Sequence, residues 1–324
     1  MLESYFYIGS IVLLGAVLLD LLMGDPRWLP HPVVQMGKLI TSLDKSWNKG
    51  SYKKQKGVLL ATTVVITVYA LTFAIVFVAH QLSFWAGLAV EIYLVSTTIA
   101  IKGLSDAGKN VLKPLLTGNI GEARKSLSMI VGRDTETLSE CEVVRGTVET
   151  VAENTVDGIT APLFWALIGG APLAMAYRAI NTLDSMVGYK SEKYLQFGWA
   201  SARLDDLANF LPARLTALTM WFMSIFIKNS KRKTAWMITW RDARKHPSPN
   251  SGWPEAMTAG LMGIQLGGIN YYRGVKSDRA RMGDPMRELA IADITTSIRY
   301  MHGGWIGFLL VGLFLLFLWT EGIT

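Results

Sequence analysis

The sequence predicts an all-α, polytopic integral membrane protein with cytoplasmic helical insertions and candidate re-entrant helices. Hydrophobic residues make up 51% of its 324 residues, and the chain has 11 Trp and a positive mean hydropathy of +0.30. Several apolar runs are long enough to cross a bilayer. Lys and Arg gather beside these runs, as the positive-inside rule describes, so the net charge of +7 indicates membrane topology and not nucleic-acid binding.

Complete membrane spans are predicted where an apolar run carries almost no charge. Such runs lie at residues 5–23, 58–78, 84–101 and 305–319. The first has no small-residue cleavage site before Gly24, so we expect a retained span and not a signal peptide. The basic residues of 24–56 place the following loop in the cytoplasm and the N-terminus outside. Glu91 is the one acid that the hairpin of the second and third spans buries.

Two further apolar runs, 159–177 and 209–227, are interrupted by glycine and proline. If both crossed the membrane, the charged stretch 178–208 would lie outside, and the sequence alone leaves this topology open. The candidate site residues of that stretch favour the cytoplasm. We therefore expect both runs to be incomplete, broken at Gly169-Gly170-Pro172 and at Pro212.

The chain is otherwise organised as one membrane-embedded unit over residues 1–324. Polar helical patterns at 102–158 and 228–302 predict a cytoplasmic helical insertion and a second cytoplasmic segment. A basic cluster opens the second segment: Lys228, Lys231, Arg232 and Lys233. Cys141 is the only cysteine, which excludes an internal disulfide and a thiolate cluster.

The strongest sign of a site is the stretch VETVAENTVDG at residues 148–158. In a regular α-helix, Glu149, Glu153 and Asp157 share one face. Like charges at this spacing destabilise a helix unless something compensates them, and a magnesium ion would do so. The alternative is a solvated acidic face with Arg145 as its partner. Because an apolar run follows directly, the acids lie beside the bilayer, which favours a functional role.

Polar residues also gather where glycine and proline end the apolar segments near the N-terminus and before the acidic stretch. Asp25 and His31 form the first group, where a turn cap and an ordinary loop histidine are the alternatives. Arg133 lies in the second group, GRDT at 132–135, where Asp134 or Thr135 is placed to cap a helix. Each group predicts either a binding site or a local cap.

A third group spans residues 178–214 and alternates acids with bases. Its candidate site residues are Asn181, Asp184, Lys190, Arg203, Asp205 and Arg214. The pattern fits a binding site or a structural lattice of salt bridges. Adjacent Asp205 and Asp206 point about 100° apart on a helix, so we expect one to bind a ligand and the other to orient it.

A fourth group, HPSPNSG at 246–252, is a turn-rich loop. His246, Ser248 and Asn250 give it imidazole, hydroxyl and amide groups, a composition able to hold a phosphate, although plain loops also use these residues. The sequence has no G-x-x-x-x-G-K-[ST], G-x-G-x-x-G or H-E-x-x-H motif. The absence of these motifs argues against a standard nucleotide or zinc site and leaves the position of an ATP site open.

Six ordered blocks together resemble the adenosylcobinamide-phosphate synthase family of cobalamin biosynthesis, the CbiB/CobD type. The blocks are GDPRWLPHPVVQMG (24–37), GRDT (132–135), VETVAENTVDGITAP (148–162), YRAINTLDSMVGYK (177–190), ARLDDLANFLPAR (202–214) and HPSPNSGWPEA (246–256). Their order and spacing make the resemblance more specific than any one block, and it extends through most of the chain.

The resemblance implies a multi-pass enzyme of the cell (inner) membrane with its active site on the cytoplasmic face. It would join the amino group of (R)-1-amino-2-propanol, or its O-phosphate, to the free carboxylate of adenosylcobyric acid, giving adenosylcobinamide or its phosphate. A carboxylate and an amine do not condense favourably in water, so ATP would activate the acid and magnesium would neutralise the phosphate charge. The corrinoid is then a substrate and not a cofactor. Other expected partners are the lipid bilayer and further membrane enzymes of late cobalamin assembly.

Residue chemistry suggests roles within that reaction. The predicted magnesium ligands are Glu149, Glu153, Asp157, Asp184 and Asp205. The predicted catalytic residues are His31, His246, Glu149, Glu153 and Asp184, with either histidine taking a proton from the amine. The predicted substrate and phosphate contacts are Asp25, Arg133, Asn154, Asn181, Lys190, Arg203, Arg214, Ser248 and Asn250.

Two functions from other classes remain open at this point. A transporter of a small polar solute would use the same intramembrane acids as an ion path. A non-enzymatic membrane signalling protein would have no turnover at all. Assaying the purified protein with corrinoid, amine and ATP separates all three functions.

Overall fold

A computed structural model of the protein describes residues 2–24 and 31–321, with side chains for residues 8–24 and 31–318. The structure is mostly helical, which confirms the all-α membrane class. The helices are α1 (Leu2–Met23), α2 (Pro32–Trp47), α3 (Lys53–Leu82), α4 (Phe84–Ser96), α5 (Ile101–Leu116), α6 (Ile120–Ser128), α7 (Glu140–Thr155), α8 (Ala161–Val187), α9 (Trp199–Ala208), α10 (Phe210–Met223), α11 (Arg232–Asp242), α12 (Gly252–Met262) and α13 (Ala292–Glu321). A π-helix covers Val156–Thr160, and short 3₁₀ turns cover Ser224–Phe226 and Ala243–Lys245.

The chain divides into two compact units, each built from separate segments. The first unit holds Met1–Ala100, Asp157–Asn209 and Val311–Thr324, and the second holds Ile101–Val156 and Phe210–Leu310. The predicted insertion 102–158 nearly coincides with the first segment of the second unit. The predicted cytoplasmic segment 228–302 falls within its other segment. Whether these parts form one membrane-embedded unit stays a prediction.

Helix α3 of the first unit shows why this is a membrane protein. Its buried face carries Leu60, Val64 and Val68 at four-residue spacing, while its opposite face exposes large apolar side chains such as Phe73 and Phe77. A helix that is apolar on both its buried and its exposed face is suited to lipid and not to water. Four helical segments of the described chain are long and apolar enough to cross a membrane: Lys53–Leu82, Phe84–Leu116, Glu140–Val187 and Ala292–Leu318.

The predicted spans correspond to this set in part. The runs at 58–78, 84–101 and 305–319 each lie within one of the four long segments, whereas the first run corresponds to a shorter apolar helix, Ile8–Met23. Glu91, the acid buried in the predicted hairpin, lies 2.9 Å from the imidazole Nε2 of His80. This carboxylate therefore has a partner within its own helical hairpin.

The two interrupted runs have different outcomes. Within α8, Gly169 and Gly170 depart from helical geometry, and Gly170 has a φ of 61°, so the predicted break is confirmed. Helix α10 begins at Phe210 and continues through Pro212, so the expected break at that proline is wrong. Proline is tolerated in the first turn of a helix because the amide hydrogen it lacks has no partner there. The interruption lies instead at Asn209, between α9 and α10.

The second unit contains a β-hairpin that the sequence analysis did not predict. Strands β1 (Leu266–Tyr272) and β2 (Val275–Met282) pair antiparallel, and Tyr272 faces Val275 across the turn. The two turn residues, Arg273 and Gly274, both have positive φ, as a two-residue hairpin turn requires. Apart from this hairpin, the described residues of the second unit are helices and their connections.

Candidate functional site

The acid at the start of the predicted stripe, Glu149, is buried in the second unit. The residue as a whole is 4% exposed, and its Oε2 lies 2.5 Å from Nη2 of Arg133, a residue that is 8% exposed. Its Oε1 accepts a hydrogen bond from the backbone N–H of Gly267 at 2.8 Å. Burial alone lowers the pKa of Arg133, but the charge of Glu149 and the hydrogen bond to it outweigh burial and raise that pKa. Glu149 is thus one partner of a buried ion pair. The alternative interpretation, in which this residue belongs to a solvated acidic face, is wrong.

Two polar residues extend this ion pair toward the hairpin. Arg133 Nη1 donates to Oδ1 of Asn270 at 2.8 Å, and Arg145 Nη2 donates to the same oxygen at 3.2 Å. Arg145 Nε also lies 3.8 Å from Glu149 Oε1. The network therefore joins α7 to β1 and compensates the buried carboxylate with two guanidinium groups.

Asp134 and Thr135 do not cap α7, which corrects that expectation. Ser139 caps the helix, and its side chain forms a reciprocal pair with Glu142. Asp134 instead accepts hydrogen bonds from the backbone N–H groups of Arg273 and Gly274, at 2.9 and 2.7 Å. Its carboxylate fixes the hairpin turn, which the sequence could not indicate because the hairpin is distant along the chain.

Glu153, one turn further along α7, meets the predicted phosphate loop. Its Oε1 accepts a hydrogen bond from the Ser251 hydroxyl at 2.9 Å, and its side chain is partly exposed. Within the loop, the Ser248 hydroxyl accepts from the backbone N–H groups of Asn250 and Ser251 at 3.2 and 3.3 Å. Ser248 therefore holds the loop in shape, while Glu153 is the carboxylate that the loop approaches.

A histidine and an acid lie together beside this loop. His246 Nε2 is 3.7 Å from Oε1 of Glu255, and the two side chains are 6% and 3% exposed. Among the described residues, neither of these two atoms has a hydrogen-bond partner. The backbone N–H of Ser248 donates to His246 Nδ1 at 3.0 Å, and Nδ1 also lies 3.2 Å from the Ser248 carbonyl oxygen. When Nδ1 carries the hydrogen and donates it to that carbonyl, Nε2 keeps a lone pair that can take a proton.

The environment shifts both groups toward their neutral forms. Burial lowers the pKa of His246, although the negative charge of Glu153 works against this. Burial raises the pKa of Glu255 well above its usual range, and the charges of Glu153 and Glu149 raise it further. An imidazole that is neutral near pH 7 and has an unsatisfied nitrogen has the properties of a general base.

Arg214 lies near the same loop. Its Nη1 is 3.4 Å from Oδ1 of Asn250, and its Nη2 is 3.5 Å from the carbonyl oxygen of Pro249. Its guanidinium also stacks on the rings of Phe210 and Trp253. The predicted phosphate contacts Arg214, Ser248 and Asn250 are therefore neighbours in the structure, whereas the amide of Asn154 bonds the carbonyl of Thr150 in its own helix at 3.0 Å.

The remaining predicted residues of the third group belong to the first unit. Asp205 accepts hydrogen bonds from the amides of Asn181 and Asn209, at 3.3 and 3.0 Å. Asp206 instead lies 3.8 Å from Arg203, and burial raises its pKa. The two adjacent acids have different partners, which confirms their predicted divergence. Asp157, Asp184 and Lys190 also belong to this unit.

Protein side chains alone do not make a magnesium cage in the described part of the chain. No group of three His, Cys, Asp or Glu side chains there is arranged to hold a metal ion. Glu149 is neutralised by Arg133, and the Asp members of the predicted set belong to the other unit. A magnesium ion that keeps most of its contacts to nucleotide phosphates and water needs only one or two carboxylates.

The N-terminal group is described only in part. His31 is the N-cap of α2, and its Nδ1 accepts from the backbone N–H of Val33 at 3.3 Å, so the interpretation as an ordinary loop residue has structural support. Asp25 lies outside the described residues. The catalytic role of His31 and the binding role of Asp25 stay predictions.

Comparison with known proteins gives the family. The model of the family described as CobD/Cbib protein matches residues 13–301. The chain is 51% identical over 314 residues to "Cobalamin biosynthesis protein CobD" of Halalkalibacterium halodurans, covering 97% of this chain and 98% of that protein. It is 52% identical over 296 residues to the protein of the same name from Geobacter metallireducens, covering 90% and 92%. The chain belongs to the CobD/CbiB family.

A relative with the other family name is also similar. The chain is 44% identical over 293 residues to "Cobalamin biosynthesis protein CbiB" of Salmonella typhimurium, covering 88% of this chain and 91% of the relative. No solved structure matches the chain. The resemblance found in the sequence blocks is therefore confirmed, and the protein has a role in cobalamin biosynthesis.

Within this CobD/CbiB chain, sequence reasoning missed two residues of the site in the second unit. Glu255 was absent from the predicted residues, although it lies in the block HPSPNSGWPEA and is the only acid in the apolar helix α12. That isolated acid was the available signal, because a carboxyl group in an apolar helix needs a partner or a purpose. Asn270 was missed because it lies on the unpredicted hairpin.

Proposed function

We propose that this CobD/CbiB chain is an ATP-dependent amide synthase. It joins (R)-1-amino-2-propanol, or its O-phosphate, to the free carboxylate of adenosylcobyric acid and gives adenosylcobinamide or its phosphate. ATP arrives as its magnesium complex and converts the carboxylate to an acyl phosphate, which the amine then attacks. ADP and phosphate leave, and one proton is released as the ammonium becomes an amide.

The observation that carries this proposal is the buried pair of His246 and Glu255 in a protein of cobalamin biosynthesis. An amine is nucleophilic only after it loses a proton, and His246 Nε2 can take that proton in the neutral tautomer whose Nδ1 donates to the Ser248 carbonyl. The Oε1 of Glu255 lies 3.7 Å away and can accept a hydrogen bond from the protonated imidazole. Glu153 supplies negative charge on the same side, which favours a protonated imidazole during the reaction.

Other residues of the second unit support phosphate binding. Arg214 and Asn250 lie together at the loop and offer charged and amide donors. Arg133 is an unsuitable phosphate contact because Glu149 and Asn270 already occupy its guanidinium. We therefore assign Arg133 and Glu149 to support of the site, and we keep Glu153, His246 and Glu255 for the chemistry.

The direct test uses the purified full-length protein in lipid nanodiscs. It is supplied with adenosylcobyric acid, aminopropanol phosphate, ATP and magnesium, and the corrinoid product is identified by mass spectrometry together with the released ADP. We expect one amide product and one ADP per turnover. If no product forms with aminopropanol phosphate and none forms with free aminopropanol, the proposal is refuted.

Two matched substitutions separate the predicted bases. His31→Asn keeps a side-chain acceptor for the cap of α2, so it should leave turnover close to that of the wild type. His246→Asn removes Nε2 and should lower kcat by about 10²- to 10⁴-fold. Equal losses in both variants would contradict the assignment of His246 as the base.

The same preparations test the two other functions. A transporter would move a labelled solute into liposomes without consuming ATP, and a signalling protein would show neither transport nor turnover. The buried His246–Glu255 pair favours the synthase over both, because a neutral imidazole beside an acid is suited to proton transfer in a reaction.

A further inference from the structure

The second unit has exposed apolar side chains at the end of α10, in the turn that follows and on α11. They are Phe222, Ile225, Phe226, Trp236, Met237 and Trp240, and we name the surface that they form the aromatic surface. Phe226 is 79% exposed, Met237 is 64% exposed and Trp240 is 51% exposed. Large apolar side chains that cluster on a surface mark a place of contact with another molecule or with lipid.

Helix α11 exposes several large apolar side chains. Its buried positions are Ala235, Ile238, Thr239 and Asp242. Its exposed positions include Trp236, Met237 and Trp240. Since exposing large apolar side chains to water is unfavourable, this exposure indicates that the outer face of α11 contacts something other than water.

Ring contacts make the aromatic surface continuous with the core of the second unit. Trp236 lies 5.3 Å from Trp221 and 6.0 Å from Trp240, and Trp240 lies 5.2 Å from Trp253, measured between ring centroids. Arg232 stacks on Trp221 at 4.4 Å, and the Trp221 indole donates to the Arg232 carbonyl at 3.0 Å. The rings are therefore fixed in position by their neighbours.

Basic residues border the aromatic surface, with almost no acids. Residues 228–245 contain seven Lys or Arg and one acid, Asp242, which is buried between Arg241 and Lys245. Lys228 and Lys233 are exposed, at the end of the turn and the start of α11. Arg241 is paired with Asp242 and Asp284, so the positive border of the surface consists mainly of exposed Lys228 and Lys233.

We propose that the aromatic surface lies in the membrane–water interface and that its basic border binds the headgroups of anionic phospholipids. Trp and basic residues are enriched together at this depth of a bilayer, whereas Lys is depleted from protein–protein interfaces. The apolar helix Phe210–Phe226 that leads to the surface is too short for a full span, as an interfacial segment would be. Lys228 and Lys233 extend from apolar surroundings toward phosphate groups.

The experiment uses the full-length protein with Cys141→Ser, in nanodiscs of phosphatidylcholine and phosphatidylglycerol. A fluorophore is attached at Met237→Cys, and in a second variant at Phe226→Cys in case the first fails to fold. Its quenching is measured with brominated lipids and with aqueous iodide. Lys125→Cys, on exposed α6, is the control for a probe in water.

We expect brominated lipids to quench the probe at Met237 and iodide to quench it far less than the probe at Lys125. Brominated phosphatidylglycerol should quench more strongly than brominated phosphatidylcholine. Lys228→Gln with Lys233→Gln should reduce that preference by about fivefold per lysine. The matched pair Lys113→Gln with Lys125→Gln removes the same charge from exposed positions of the second unit and should leave the preference unchanged.

Three results would overturn the proposal. Iodide quenching equal to that of the control would place the surface in water. Protection from both quenchers would indicate that protein covers the surface, either a second copy of this chain or another partner. Lipid quenching without preference for phosphatidylglycerol would show that the basic border does not bind anionic headgroups.

Discussion

Glu149 and Glu153 lie one turn apart on α7, and replacing each with Gln should have opposite consequences. Glu149→Gln keeps an acceptor for the N–H of Gly267 but leaves the Arg133 guanidinium without its counter-charge in a site where both side chains are 5% exposed. Removing one partner of a buried ion pair costs about 3–5 kcal/mol of the free energy of unfolding. Glu153→Gln keeps an acceptor for the Ser251 hydroxyl and is partly exposed, so its cost should be about 1 kcal/mol or less.

When turnover is compared per folded molecule, Glu153→Gln should lose more activity than Glu149→Gln. Glu153 supplies the charge that faces His246, so Glu153→Gln should lower kcat by at least about tenfold, since the lost charge no longer favours the protonated imidazole. Thermal unfolding of the detergent-solubilised protein and turnover per folded molecule measure the two effects separately. The double variant Arg133→Met with Glu149→Leu is the control, because replacing both partners removes the unpaired charge and should restore most of the stability.

The reasoning would be refuted by a Glu149→Gln protein as stable as the wild type. Such a result would mean that Arg133 finds another counter-charge or that the pair is hydrated. A Glu153→Gln protein with wild-type turnover at limiting magnesium would equally remove Glu153 from the site.

Three further predictions concern other positions. Burial raises the folded-state pKa of Glu255 above the ordinary value of 4.5. Its stabilising effect is therefore full below pH 4.5 and is lost as the pH rises through the folded-state pKa, so Glu255→Gln should raise the unfolding temperature at alkaline pH and have little effect near pH 4.5. Gly57→Ala would place a Cβ against the carbonyl oxygen of Phe197 and should destabilise the protein by about 1–3 kcal/mol, whereas Gly132→Ala enters open space and should be neutral in the same unfolding assay. In a variant without Cys141, a cysteine introduced at exposed Ser191 should react with an impermeant thiol reagent only after the cells are permeabilised. Reaction in intact cells would place residues 178–208 outside the cell.

The helical class and the main apolar segments were predictable because they depend on local composition. A bilayer requires about 20 apolar residues in a helix, and this requirement is visible in any run such as 58–78. The break at Gly169 and Gly170 was predictable for the same reason, since two glycines and a proline disfavour a helix wherever they occur. The tolerance of Pro212 was not predictable, because it depends on where α10 begins.

The hairpin and its contacts could not be derived from local pattern. The turn residues Arg273 and Gly274 are a weak hairpin signal compared with Asn-Gly, and the second and third residues of β1 are glycines, which disfavour strands. The hairpin is held in part by Asp134, more than 130 residues earlier. Because the hairpin was not predicted, the structural role of Asp134 and the contact between Arg133 and Asn270 could not be assigned from the sequence.

The site was predicted in composition and less well in geometry. The loop containing His246, Ser248 and Asn250 does meet Glu153 and Arg214, as an active site requires. The role of Glu149 could not be inferred, because its partner Arg133 is 16 residues away and both side chains are desolvated. Periodicity identifies which residues share a face, but it does not tell whether that face meets a cation, a guanidinium group or solvent.

A π-helix at Val156–Thr160 interrupts the acidic stretch after Glu153. The rule that residues four apart share a face holds for Glu149 and Glu153, since α7 is regular through Thr155. Asp157 lies within the π-helix, where the α-helical spacing no longer applies. Asp157 also belongs to the first unit, where its carbonyl oxygen accepts from the Tyr177 hydroxyl at 3.3 Å. The acidic stretch therefore contains a buried ion pair at Glu149, a carboxylate at the proposed site at Glu153 and a π-helical residue at Asp157, so a shared α-helical face does not make the three acids equivalent.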